Sequence, residues 1–340
     1  MKIGILDPGL QDHKGNASVN LGDLIIQDAV KQELTQLFPQ AELVHYSSHA
    51  PLSSEQLSNL SSFAAVIVGG SNLLSSRLRP YNRWSEKYER WTNQWAISLL
   101  DAIRIKNATL LGAGWVQYQN PPDYFSRLMY RFALSRQTFQ SVRDEYSKKR
   151  LMEAGISNVL NTNCITMWQL AKKDLRRYPT TQAENALVIL TDYAKKPEYD
   201  GRLLKLLKNR YKAVYAWPQG SHDKAYLEEL GFDGVMLDRS LAGLDDFVRS
   251  GNPFDYIGTR LHGGIRCLQN DKRALIIEVD NRATEIARDT NLPTVKREDF
   301  DFIEKWIGCS EPLNLRLQTG AQQQWRDRLR EIAGVPVVKA

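Results

Sequence analysis

The chain has 340 residues, 42% apolar and 25% charged, with a formal charge of +6. That composition fits a globular protein long enough for two cores. No apolar run approaches a membrane span, and the Lys and Arg excess is not gathered into a nucleic-acid-binding stripe.

Met1 to Asp7 enters directly into a strand, Ile3 to Leu6, without the apolar core of a signal peptide. Asp23 is then read as the N-cap of an amphipathic helix carrying Leu24, Ile25, Ala29, Val30, Leu34 and Leu37. Strands follow at Glu42 to Tyr46, Ala64 to Val68, Ala108 to Leu111 and Thr138 to Val142, and the last leads into a helix from Glu145 to Ala154. The polar stretch Ala171 to Asn185 reads as a linker. The pattern restarts with a strand at Ala186 to Leu190, a helix at Gly201 to Leu207, a strand at Ala213 to Trp217 and a helix at Lys224 to Leu230. Later strands fall at Tyr256 to Gly258 and Ala274 to Val279, and a last helix at Ala321 to Ile332. Short buried strands alternating with helices predict an α/β protein of two Rossmann-like domains, with parallel sheets facing a cleft. The predicted domains are residues 1–170 and 186–315, with 316–340 packing back on the first.

The most telling segment is Gly258-Thr259-Arg260-Leu261-His262-Gly263-Gly264, between an apolar strand and a helix. Arg260 and His262 point the same way if the chain is extended. Gly263 and Gly264 let a ligand approach the backbone and offer N–H groups to an anion. A guanidinium, an imidazole and open N–H donors suit a phosphorylated substrate whose chemistry moves a proton. Arg143 and Arg282 also follow strands, each with a salt bridge or surface charge as its plain reading. Asn20, Asp23, Gly70 and Ser71 lie on turns that line the expected cleft, although α/β turns use glycine anyway. His222 and Asp223, after Trp217-Pro218-Gln219-Gly220-Ser221, read as substrate contacts, with a helix cap as the plain reading of Asp223. No metal is expected. The histidines are scattered, and Asp299-Phe300-Asp301 reads as a helix cap. Cys164, Cys267 and Cys309 are too far apart in sequence for a framework of disulfides, which points to a reducing, cytoplasmic setting. Tyr81, Trp84, Tyr88, Trp91 and Trp95 recur at helical steps. They read as a packed helix, a sugar-stacking face or a face for a lipid-linked substrate. Tyr124 to Arg136 permits the same membrane contact.

In order and spacing these pieces resemble the polysaccharide pyruvyl transferase family. The matching landmarks are Asn20-x-Gly22-Asp23, Gly69-Gly70-Ser71-Asn72-Leu73, Gly112-Ala113-Gly114, Ser141-Val142-Arg143-Asp144 with Ser147 and Leu151, Arg260-Leu261-His262, and Asp280-x-Arg282. The resemblance spans residues 3 to 295 and implies a fold like that of GT-B glycosyltransferases. It implies phosphoenolpyruvate as donor, no further cofactor, and a sugar acceptor, free or lipid-linked, that receives pyruvate as a ketal. If the acceptor is lipid-linked, the enzyme works at the inner face of the membrane. Donor binding and catalysis would fall on Arg143, Arg260 and His262. Two departures stand out: the glycine run is shortened to Gly69-Gly70, and Arg282 stands where the family usually has Lys. Arg keeps the charge but cannot exchange a proton at neutral pH. Two other readings stay open, a glycosyltransferase using a nucleotide sugar and a non-catalytic carbohydrate-binding protein.

Overall fold

The structure is a computed structural model describing residues 1–78 and 94–335. The chain divides into two compact units. The first comprises Met1–Ser18, Ile26–Trp168 and Leu317–Ala340, and the second Val19–Ile25 and Gln169–Arg316.

The first unit runs β1 (Lys2–Asp7), α1 (Leu21–Leu37, which enters this unit at Ile26), β2 (Glu42–Ser47), α2 (Ser54–Ser62), β3 (Ala65–Gly69), α3 (Leu99–Ile105), β4 (Ala108–Leu111), α4 (Tyr124–Ala133), β5 (Gln140–Val142), α5 (Glu145–Glu153) and β6 (Val159–Asn161). Among the described residues the strands pair in parallel as β2-β1-β3-β4, with β5 and β6 as a separate pair. A parallel bridge between Ala113 and Val142 carries β5 alongside the chain leaving β4. Alternation sorts the side chains. Ile3, Ile5 and Ile67 share a core with Ile26, Val30 and Leu34 of α1. Leu6, Val66 and Val68 face α2, α3 and α4 through Leu57, Leu60, Ala102, Ile105 and Met129.

One expectation changes here. Helix α1 starts at Leu21, so Asp23 sits in its first turn rather than at the cap. Asn20 Oδ1 takes the Gly22 N–H instead (3.2 Å). The Tyr124 to Arg136 segment turns Met129, Tyr130 and Ala133 inward and leaves Tyr124 and Phe132 exposed. Tyr81, Trp84, Tyr88 and Trp91 lie outside the described residues, while Trp95 is buried in the first unit's core. Among the described residues no helix is long and apolar enough to cross a membrane.

The second unit runs β7 (Asn185–Val188), α6 (Pro197–Arg210), β8 (Ala213–Ala216), α7 (Asp223–Glu229), β9 (Val235–Met236), α8 (Leu241–Arg249), β10 (Phe254–Gly258), α9 (Leu261–Gln269), β11 (Ala274–Glu278), α10 (Asn281–Thr290), β12 (Thr294–Lys296) and α11 (Phe300–Gly308). Its six described strands are all parallel, in the order β12-β11-β10-β7-β8-β9. From β7 the chain winds one way through β8 and β9, then returns to build β10, β11 and β12 on the other side. The strand order therefore reverses between β7 and β10, where open α/β sheets form a crevice at the carboxyl ends of their strands. Val188, Ile257, Leu275 and Ile277 pack on α6, α7 and α11. The stretch read as a linker, Ala171 to Asn185, begins at the end of a 3-10 helix (Ile165–Lys172) and contains a short 3-10 turn at Leu175–Arg177. Asp299 caps α11 by accepting the Phe302 N–H (3.1 Å). The last helix, α12 (Thr319–Ile332), belongs to the first unit, where Trp325 packs edge-on to Trp168 and donates to the Leu110 carbonyl.

Candidate functional site

Loops leaving β7, β8, β10 and β11 meet around Arg260. This residue lies between β10 and α9, and the buried Tyr256 hydroxyl holds its carbonyl (2.7 Å). Its guanidinium grips Asp223 with two hydrogen bonds, Nε to Oδ2 at 3.0 Å and Nη2 to Oδ1 at 2.5 Å. Nη2 also reaches Asp192 Oδ1 at 3.1 Å. Asp223 is fully buried and accepts the backbone N–H groups of Gln219 (3.2 Å), Gly220 (2.7 Å) and Asp192 (3.0 Å). Burial alone would raise its pKa, but Arg260 and these N–H groups hold it below the usual carboxylate range. Asp192 moves the other way, pushed up by burial and by the neighbouring Asp223 carboxylate. Gly220 is required here, because a Cβ on it would lie 2.2 Å from Arg260 Nη2.

Arg282 joins the same group through Tyr193. Its Nη2 donates to the Tyr193 hydroxyl (2.5 Å), and its Nε and Nη2 grip Asp280 (3.0 and 2.5 Å). The Tyr193 ring centre lies 4.9 Å from Arg260 Cζ and 5.9 Å from Arg282 Cζ. Burial opposes the charge on Arg282, yet Tyr193 and Asp280 prevail and push its pKa up. Among the described residues, Nη1 of Arg260 and Nη1 of Arg282 have no protein partner. The N–H groups of Leu261 and Gly263, in the uncapped first turn of α9, have none either. Four open donor groups thus lie in the loops and helix that leave these strands, donors of the kind that can hold an anion.

His262 occupies the second position of α9 and is buried. Gly263 and Gly264 have another reason to be glycine. A Cβ at Gly263 would lie 2.6 Å from Ile189 Cδ1, and one at Gly264 2.6 Å from Ile276 Cγ1. They let α9 press onto the sheet. The expected Gly264 donor is already committed, since its N–H closes the first turn onto the Arg260 carbonyl (3.1 Å). Asn20 and Asp23 belong to this unit. Asn20 Oδ1 takes the Gln219 amide (3.2 Å), and Asp23 adds negative charge around Arg282.

Arg143, Gly70 and Ser71 belong to the first unit. Arg143 is enclosed rather than open. It donates to Asp144 Oδ2 (2.8 Å), Asn72 Oδ1 (2.5 Å) and the Trp115 carbonyl (3.0 Å), and a Cβ on Gly114 would strike its Cζ at 2.1 Å. Ser141 takes the Gly112 N–H (2.8 Å) and Ser147 the Trp115 N–H (2.9 Å). The three loop motifs after β3, β4 and β5 are thus knotted on one guanidinium. Gly70 and Ser71 both adopt φ +59°, and a Gly70 Cβ would meet Ile26 at 2.3 Å.

The sequence did not point to Asp192 or Tyr193, because isolated Asp and Tyr residues in loops carry no spacing signal; Asp280 stood out only as a landmark beside Arg282. It also missed a pairing in the first unit, where His45 Nδ1 sits 2.6 Å from the buried Asp7 carboxylate. Among the described residues no three His, Cys, Asp or Glu side chains group as a metal ion would need.

Residues 20–217, more than half of the chain, match the family model described as polysaccharide pyruvyl transferase. No curated protein sequence matches. Similar solved structures include the E. coli heptosyltransferase WaaC with ADP-2-deoxy-2-fluoro heptose, at 13% identity and TM-score 0.36 over 82% of this chain and 88% of that one. The wall teichoic acid polymerase TagF (H444N, with CDPG) matches at 10% identity and TM-score 0.43 over 98% and 83%. UDP-GlcNAc 2-epimerase from Neisseria meningitidis, bound to UDP-GlcNAc, matches at 14% identity and TM-score 0.43 over 99% and 95%. Scores this low say nothing more about the present chain. The family match is of another order, and by it this chain belongs to the polysaccharide pyruvyl transferase family.

Proposed function

We propose that this protein transfers pyruvate from phosphoenolpyruvate to two hydroxyls of a sugar in a polysaccharide or its precursor, forming a ketal and releasing phosphate. The observation that carries this reading is the set of open donors around the β7–β10 crevice: Nη1 of Arg260, Nη1 of Arg282 and the first-turn N–H groups of α9. Guanidinium groups match carboxylate and phosphate geometry, and a helix N-terminus favours an anion. Family membership supplies the reaction class.

In this scheme the donor's carboxylate and phosphate rest on Arg260, Arg282 and the N–H groups of Leu261 and Gly263. Arg143 contributes by fixing the loops of its own unit. Protonation of the methylene carbon makes its neighbour electrophilic. One sugar hydroxyl attacks that carbon, phosphate leaves, and the second hydroxyl closes the ketal. His262 takes the hydroxyl proton, a task suited to imidazole near neutral pH.

Thermal denaturation with candidate donors tests the reading. Phosphoenolpyruvate at about a hundred times its Kd should stabilise the protein by roughly 2.7 kcal/mol. A UDP-sugar should leave the melting temperature unchanged. The reverse result would replace this reading with a nucleotide-sugar transferase, and no shift with either would favour a carbohydrate-binding role.

A further inference from the structure

Two carboxylates share one guanidinium in the second unit. Asp223 is enclosed and saturated by five donors. Asp192, on the 3-10 turn after β7, lies at the rim with its side chain 20% exposed. Its Oδ1 meets Arg260 Nη2, and its carboxyl neighbours that of Asp223. Beyond this pair, Arg282 is matched by Asp280, and Asp23 adds a further negative charge near Arg282. His262 stands on α9, and Arg239 holds the Gly220 carbonyl (3.0 Å). With all its carboxyls ionised, the cluster of Asp192, Asp223, Asp280 and Asp23 around Arg260 and Arg282 has a surplus of negative charge. That surplus opposes a multiply charged anion which the open Nη1 groups and the first-turn N–H groups of α9 attract. Protonating one carboxyl relieves that opposition, and Asp192 is less tied than Asp223 or Asp280: it accepts from Arg260 Nη2, whereas Asp223 accepts five hydrogen bonds and Asp280 is gripped by Arg282 and Tyr193.

We propose that Asp192 takes up a proton when the anionic donor binds, and so carries into the site the proton that the donor's methylene carbon needs. This rests on the phosphoenolpyruvate reading above. Burial and the Asp223 carboxylate already favour the protonated form of Asp192. The transfer balances. The Asp192 O–H bond breaks as the methylene C–H bond forms, and the alkene electron pair becomes that bond. Asp192 is left as a carboxylate beside Arg260. Of the two protons that the sugar hydroxyls lose, one leaves with phosphate and the other restores Asp192.

Calorimetric titration of phosphoenolpyruvate, in PIPES and in Tris at neutral pH, measures protons exchanged on binding. Wild-type protein and Asp192→Asn are compared, so proton exchange by the donor itself cancels. The variant should take up about one proton fewer than the wild type. It should bind the donor at least as tightly, because a repelling charge is gone. Equal proton counts, or a tenfold loss of affinity in the variant, would overturn the proposal. If the wild type does not bind phosphoenolpyruvate at all, the donor reading itself fails, and the proposal with it.

Discussion

Asp223→Ala is the perturbation that most directly probes how the second unit is assembled. Asp223 receives two hydrogen bonds from Arg260 and three from the N–H groups of Gln219, Gly220 and Asp192. Removing one partner of a buried ion pair costs about 3–5 kcal/mol, because the other charge is stranded. Asp192 remains on Arg260 Nη2 and recovers part of this. The three N–H groups add about 1 kcal/mol each, not additively. A net loss of about 3–5 kcal/mol lowers hydrogen-exchange protection by roughly two to four powers of ten. Exchange should be read by mass spectrometry on peptides covering β7 and β10, with β3 in the first unit as the internal reference. Adding Arg260→Met should recover part of the loss, since it removes the stranded charge. Protection in β7 and β10 within about threefold of wild type would refute the reasoning.

Further outcomes follow from the same geometry. Gly114→Ala places a Cβ 2.1 Å from Arg143 Cζ, so the knot of loops in the first unit must shift. Urea unfolding should show a loss of about 1–3 kcal/mol, and an unchanged midpoint would contradict the packing. His262→Ala should lower turnover, measured as phosphate release, by roughly a hundredfold or more. An unchanged rate would remove His262 from the mechanism. The pH dependence of stability has a definite sign. The pKa of Asp192 is raised in the folded protein, so it stabilises fully below its unfolded value of about 3.9. That contribution is lost as pH rises through the folded pKa. The stability advantage of wild type over Asp192→Asn should therefore shrink from acid toward neutral pH, and a growing advantage would contradict the assignment.

Much of the architecture was legible because strands buried on both faces appear as short apolar runs. Ile3 to Leu6, Ala64 to Val68 and Ala108 to Leu111 each fall on a parallel strand. The strands β6, β9 and β12 escaped notice because two or three residues carry no period. Helix α1 began earlier than read, because a cap is decided by which side chain reaches an N–H group, and Asn20 does so. Glycines were legible as close approaches, but not what they approach. Gly263 and Gly264 admit a helix onto a sheet, and Gly114 admits a guanidinium. Arg260 was legible from its place in a strand-to-helix turn. Its partners Asp192, Asp223 and Tyr193 come from other loops, and only the winding order of the sheet brings them together.

The most direct test of the function is to incubate the protein with phosphoenolpyruvate and a panel of envelope glycans, then weigh the glycans by mass spectrometry. The account predicts one glycan heavier by pyruvate less one water, with an equal amount of phosphate released. A glycan heavier by a hexose when a nucleotide sugar is supplied, with phosphoenolpyruvate untouched, would contradict it.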